Sequence, residues 1–193
     1  MNHFFAIMLP PPVQETVADF AYFWKTYTNA QDAARWYEAA DYHLTLKFLG
    51  DIPEAEAARL SAAGDAVAAR HAPLTLTLTT PSAFPNIFRP RVLFLGVKST
   101  PALRDLVTDL EETLETLGVP RDTRPYAPHT TVARVKASAG TDQNWRTPHE
   151  QAFAKWQADT FALMQTLPPK RRVNESAARY NLVRMFPLTA EEQ

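Results

Sequence analysis

The chain has 193 residues, 46% apolar and 21% charged, a balance that builds one sizeable globular domain or two small lobes and argues against disorder. Its formal net charge of −1 provides no global attraction to nucleic acid, so any basic surface must be local. With no cysteine, the chain excludes disulfides, thiolate zinc sites, iron–sulfur clusters and a cysteine nucleophile.

The opening MNHFFAIMLPPPVQE has too short an apolar run for a secretory signal. No window approaches the roughly 20 apolar residues of a membrane span, so a soluble, cytoplasmic protein is expected. Residues 3–9 read as a strand stopped by Pro10–Pro12, and 13–28 as a helix with Val17, Phe20, Ala21 and Trp24 at helical spacing. Residues 42–49 alternate as a strand, 53–69 form an alanine-rich helix, and 74–80 and 91–98 are two further strands. The Pro-rich stretch 81–91 is expected as a loop between them. Residues 101–117 read as a helix ended by Gly118, followed by a strand at 128–135 and an unassigned polar stretch through Trp156. Strands near 159–166 and 179–186 close the chain. Two adjacent strands per helix favour an α+β fold with largely antiparallel sheets.

Two of these strands echo each other. YHLTLKFLG (42–50) and PHTTVARVK (128–136) each place a histidine two positions before a threonine. Simple alternation puts His43, Thr45 and Lys47 on one face with Leu44, Leu46 and Phe48 opposite, and His129 with Thr131 opposite Thr130, Val132 and Arg134. A lone strand histidine is ordinarily a surface or hydrogen-bonded residue. A pair facing one substrate suits proton transfer in two directions near neutral pH, with each threonine hydroxyl donating to a phosphate oxygen. No acidic residue falls within either motif, and there is no G-x-S-x-G elbow, so neither a metal centre nor a serine hydrolase is expected.

HLTLKFLG (43–50) and HTTVAR (129–134) resemble the paired H-x-T-x motifs of the 2H phosphoesterases, in particular the bacterial and archaeal 2′-5′ RNA ligases, or RNA 2′,3′-cyclic phosphodiesterases. FFAIMLP (4–10), RW (35–36), FPNIFRPRVLFLGV (84–97), RPYAPHTTVAR (124–134) and RYNLVRMFPL (179–188) fall in the family's order. The resemblance implies a single 1–193 domain of two pseudo-symmetric lobes, each with an antiparallel sheet flanked by helices, and a cleft between them. It implies a monomer that opens the 2′,3′-cyclic phosphate at RNA 3′ ends without metal or cofactor. By motif, His43 is the general acid, His129 the general base, and Thr45 and Thr131 the phosphate ligands. A bell-shaped rate between roughly pH 5 and 8 follows. The same motifs would also serve a small cyclic nucleotide, a 2′-5′ oligonucleotide or an idle RNA-end binder. Thr130 replaces the family's apolar residue, 138–156 matches nothing in it, and ESAARY stands where a glycine is usual.

Of the remaining residues, Arg134 needs a bulge to reach the phosphate and otherwise anchors its strand. Lys47 either contacts phosphate or is solvated. Tyr42, Tyr126, Trp36 and Phe48 lie near the motifs as base-stacking candidates, with core packing the default for Phe48. Arg89, Arg91 and the run Lys170-Arg171-Arg172 are either an RNA footprint or solvated loop tips.

Overall fold

The structure is a computed structural model that describes residues 1–139, 144–148, 153–167 and 179–190. Strand β1 (Asn2–Met8) stops at a proline run that cannot extend a ladder but suits the first turn of helix α1 (Pro11–Tyr27). Then come β2 (Ala34–Trp36), a 3-10 turn (Ala39–Asp41), β3 (His43–Asp51), α2 (Glu54–Ala68), β4 (Leu74–Phe84) and β5 (Val92–Val97). Helix α3 (Pro101–Glu115) is capped by Thr100, whose hydroxyl oxygen accepts from the Leu103 N–H, and Gly118 turns the chain out of it at a φ of 84°. β6 (His129–Val135), β7 (Lys155–Ala158), β8 (Thr160–Thr166) and β9 (Tyr180–Pro187) complete the described elements.

All the strand pairs are antiparallel, in the order β7-β4-β5-β6-β3-β1-β8-β9, with β2 added to β6. The fold is α+β. Within this sheet, β3 and β6 share a single paired position, Leu44 with Thr130, whereas β1 pairs along the length of β3. Two four-stranded halves, β3-β1-β8-β9 and β6-β5-β4-β7, therefore meet at one narrow joint. In each half the inner strand carries a histidine motif and follows a strand–helix pair: β1 and α1 before β3, β5 and α3 before β6. Helical spacing turns Val13, Val17, Phe20, Ala21 and Trp24 of α1, and Leu103, Leu106, Val107, Leu110 and Leu114 of α3, onto one core with Phe5, Ile7, Leu44, Leu93, Leu95 and Val132. A small separate cluster (Phe4, Ala6, Ala162 and Met164) lies on the other face of the β3 half. Among the described residues no helix is long and apolar enough to cross a membrane.

Two departures from the sequence expectation have local causes. The Pro-rich stretch is half strand, because a slip in pairing between Leu78 and Pro81 lets β4 continue past the proline and pair as far as Phe84 with Val92. β7 arises in the unassigned stretch, paired to the start of β4, and the same stretch buries Trp145 and gives the Arg146 carbonyl to the Trp24 indole N–H at 3.0 Å.

Thr130 sits at the joint of the two halves, 0% exposed, and its hydroxyl has no hydrogen-bond partner among the described residues. A buried orphan hydroxyl costs stability that an isosteric methyl does not. Thr130→Val is expected to raise unfolding stability by about 1 kcal/mol, or ~3 °C in Tm for a chain of this size. An unchanged or lower urea midpoint for this variant would contradict the burial of an unpaired hydroxyl.

Candidate active site

Both motif strands carry a bulge at the same place. On β3, Ala6 faces Thr45 but Phe5 faces Lys47, so Leu46 is the extra residue. On β6, Phe94 faces Thr131 but Leu93 faces Ala133, so Val132 is extra. The fourth residue of each motif thus breaks the alternation and moves later side chains to the opposite face from the one simple alternation gives. Phe48, expected in the core, is 53% exposed and joins Thr45 on a cavity wall. Arg134 joins His129 in the same cavity. Lys47 instead turns inward and is 2% exposed. Neither solvated nor free to meet phosphate, its ammonium donates to the Pro120 carbonyl at 2.9 Å and pairs with Glu111 at 2.7 Å and Asp122 at 3.4 Å. Its position ties the 119–128 segment to β3 and α3.

The antiparallel register about Leu44 and Thr130 sets His43 beside Thr131 and Thr45 beside His129. The two imidazoles are held alike. His43 Nδ1 lies 2.7 Å from the Asp41 carbonyl, and His129 Nδ1 lies 2.7 Å from the Ala127 carbonyl, each two residues upstream. A carbonyl only accepts, so Nδ1 carries the proton in both rings and Nε2 is left to give or take one. Each ring is bracketed by two others: His43 by Phe4 and Tyr180 at 4.9 Å, His129 by Phe84 and Phe94 at 5.0 Å. Burial disfavours the imidazolium. It pushes His43 down to about 4, against the partial support of the Asp41 carbonyl, and holds His129 below its ordinary 6.5. The Arg134 charge adds to the depression at both rings.

A cavity of about 810 Å³ opens from His129 between β3, β5, α3 and the 121–127 segment. Tyr126 forms part of its wall, and its hydroxyl donates to the Thr45 carbonyl at 3.0 Å, which fastens the segment across the site. Tyr42 does not reach the cleft. It is 1% exposed, packs in the core, and its hydroxyl donates to the Tyr37 carbonyl at 3.0 Å. Trp36 is partly buried against the core with its indole N–H on the Ala30 carbonyl. Arg89 and Arg91 are exposed around the turn from β4 to β5, and the Lys170–Arg172 run lies outside the described residues. Among the described residues no three His, Asp or Glu side chains are grouped to hold a metal ion.

Several neighbours of the histidines were not anticipated. Arg134 Nε donates to the Tyr37 hydroxyl at 2.9 Å. Asp41, 2% exposed, accepts from Arg179 through both its backbone N–H at 2.9 Å and Nε at 2.8 Å, fixing the turn whose carbonyl orients His43. Phe84, Phe94, Arg179 and Tyr180 lie in the stretches 84–97 and 179–188 that carry the family resemblance, but no local spacing singles them out. Asp41 is marked only as a charged residue two positions before the motif histidine.

With this geometry in view, comparison with known proteins is direct. Residues 9–168 match the profile described as the 2′-5′ RNA ligase superfamily. An RNA 2′,3′-cyclic phosphodiesterase of Thermus thermophilus is 31% identical over 99% of this chain and 92% of its own length. One from Geobacillus stearothermophilus is 36% identical over 69% of this chain, although that stretch spans only 41% of the relative. The crystal structure of TT0787 of Thermus thermophilus superposes with a TM-score of 0.82 at 29% identity over the whole of both chains. That of E. coli LigT complexed with 3′-AMP gives 0.73 at 26% identity over 98% of both. The chain belongs to the 2′-5′ RNA ligase superfamily, whose members are the 2H phosphoesterases that its two histidine motifs resemble.

Proposed function

We propose that this chain hydrolyses the 2′,3′-cyclic phosphate at an RNA 3′ end to a 2′-phosphate. The observation that carries the reading is the twin arrangement at His43 and His129: both Nδ1 atoms are tied to backbone carbonyls, neither Nε2 has a partner among the described residues, and the strand register sets Thr131 and Thr45 opposite the two histidines. His129 Nε2 takes a proton from water as its oxygen attacks phosphorus. The bond from phosphorus to the 3′ oxygen breaks, and His43 Nε2–H gives that oxygen a proton. Thr45 and Thr131 donate to the non-bridging oxygens, where charge accumulates. The order of acid and base follows the family's motif order. Two imidazoles supply both transfers, so the step needs neither metal nor cofactor. A ribose hydroxyl in place of water would form a 2′-5′ linkage by the same transfers, which is the ligation the superfamily's name describes. We read the two halves of the sheet as two lobes of one domain that acts as a monomer.

The test is a short RNA ending in a 2′,3′-cyclic phosphate, incubated with the protein in EDTA. A terminal 2′-phosphate is the expected product. A 3′-phosphate product would reverse the leaving oxygen and refute the assignment. No reaction would turn attention to small cyclic nucleotides.

A further inference from the structure

The β2–β6 pairing sets two arginines against each other. Arg35 and Arg134 are direct cross-strand partners, so both side chains leave the sheet on the same face. Like charges in that relation repel, and a chain with a net charge of −1 has no surplus of cations that would force the arrangement. Tyr37 lies between them. Its hydroxyl accepts from Arg134 Nε at 2.9 Å, and the Arg35 guanidinium lies 5.7 Å from its ring centroid. Arg179 packs on the same ring at 4.8 Å, but its charge is met by Asp41. Arg70 and Arg121 likewise lie against carboxylates. Among the described residues Arg35 and Arg134 have no such partner; Arg89, Arg91, Arg104, Arg124 and Arg146 also lack one, but none of these is the cross-strand partner of another arginine. Two guanidiniums set side by side across neighbouring strands, one of them lining the cavity and neither with a carboxylate among the described residues, describe an anion site.

The position identifies that anion. Arg134 lines the cavity and is close enough for its charge to lower both histidines, so it stands beside the phosphate that reacts. β2 takes over from β3 as the neighbour of β6 beyond Thr130, which places Arg35 one strand, about 4.8 Å, farther from the β6 line. In an RNA the next anion outward from a terminal cyclic phosphate is the phosphodiester joining the last nucleotide to the one before it. Guanidinium groups match that group's geometry. We propose that Arg35, set beside Arg134 across the strands, is a second phosphate subsite that takes this phosphodiester and so selects RNA ends over mononucleotides. The proposal rests on the cyclic-phosphodiesterase reading, and its test can fail separately.

Arg35→Ala and the size-preserving Arg35→Gln are assayed on a nucleoside 2′,3′-cyclic monophosphate and on a dinucleotide ending in the same cyclic phosphate. The wild-type protein is expected to favour the dinucleotide. Both variants lose about tenfold in kcat/KM on it, mostly through KM, and stay within twofold of wild type on the mononucleotide. In parallel, affinities are measured for the corresponding dinucleotide and mononucleotide carrying a 2′-phosphate, where only the dinucleotide loses about tenfold. An equal loss on both ligands, or a loss on neither, overturns the subsite. Should the wild-type protein turn over neither substrate, the hydrolase reading falls, and the affinities alone still decide on Arg35.

Discussion

Replacing His43 or His129 by alanine lowers turnover of an RNA cyclic phosphate by about 10²–10⁴-fold, the usual worth of one general acid or base. The double variant is expected to lose little more than the worse single one, because proton donation and abstraction belong to the same transition state and a site lacking either half no longer benefits from the other. Alanine also opens a hole between Phe4 and Tyr180, or between Phe84 and Phe94, and that alone disturbs the site. Asparagine separates the two effects, since its side-chain amide can donate to the Asp41 or Ala127 carbonyl as Nδ1 does, yet cannot exchange a proton at neutral pH. His43→Asn and His129→Asn should therefore be as inactive as the alanine variants while unfolding closer to the wild-type midpoint. Activity within tenfold of wild type in any of the four would remove that histidine from the chemistry.

The elements that carry the motifs were legible because they obey local rules. Pro10–Pro12 stops one strand and starts a helix, Gly118 ends another, and alternating or helical spacing marks most of the rest. Strand β2 was not legible: three residues are too few to show a period, and it exists because β6 offers it an edge. The two faces of the motif strands were half legible. Strict alternation placed His43 with Thr45 and His129 with Thr131 correctly, then failed one residue later in both strands. A bulge is a property of the pairing with β1 and β5, and nothing in LTLKF or TTVAR alone announces it. These two slips account for three reversals: in β3 Phe48 out of the core and Lys47 into it, and in β6 Arg134 into the cavity. The ion group around Lys47 and the clamp of Arg179 on Asp41 join residues from separate elements, which only the folded chain brings together.

On the proposed two-histidine mechanism, burial of the rings is expected to move the optimum of the free protein toward acid. Proton transfer in two directions requires His43 charged and His129 neutral, a form that is a fixed fraction of the one-proton species, whose proton sits mainly on the less depressed His129; that species is most abundant between the pair's two macroscopic pKa values. Burial lowers both rings, His43 to about 4 and His129 below 6.5, so that window lies at or below 6.5 rather than across pH 5 to 8 as unperturbed histidines would place it. Since kcat/KM reports the free protein, its bell should peak between about pH 4 and 6.5 and fall tenfold per unit beyond either edge. The profile of kcat reports the complex. There the phosphodiester anion lies against both rings and favours the charged form, raising both values by about one unit or more and moving the bell toward neutrality. Binding near pH 6 then draws a fraction of a proton from solution, which calorimetry in buffers of different ionisation enthalpy detects. A kcat/KM optimum above pH 7.5, or no proton uptake on binding near pH 6, would contradict the lowered values of the two rings. Arg134→Gln sharpens the comparison, because removing a cation that depresses both rings should move the basic limb of kcat/KM to higher pH as well as weaken binding.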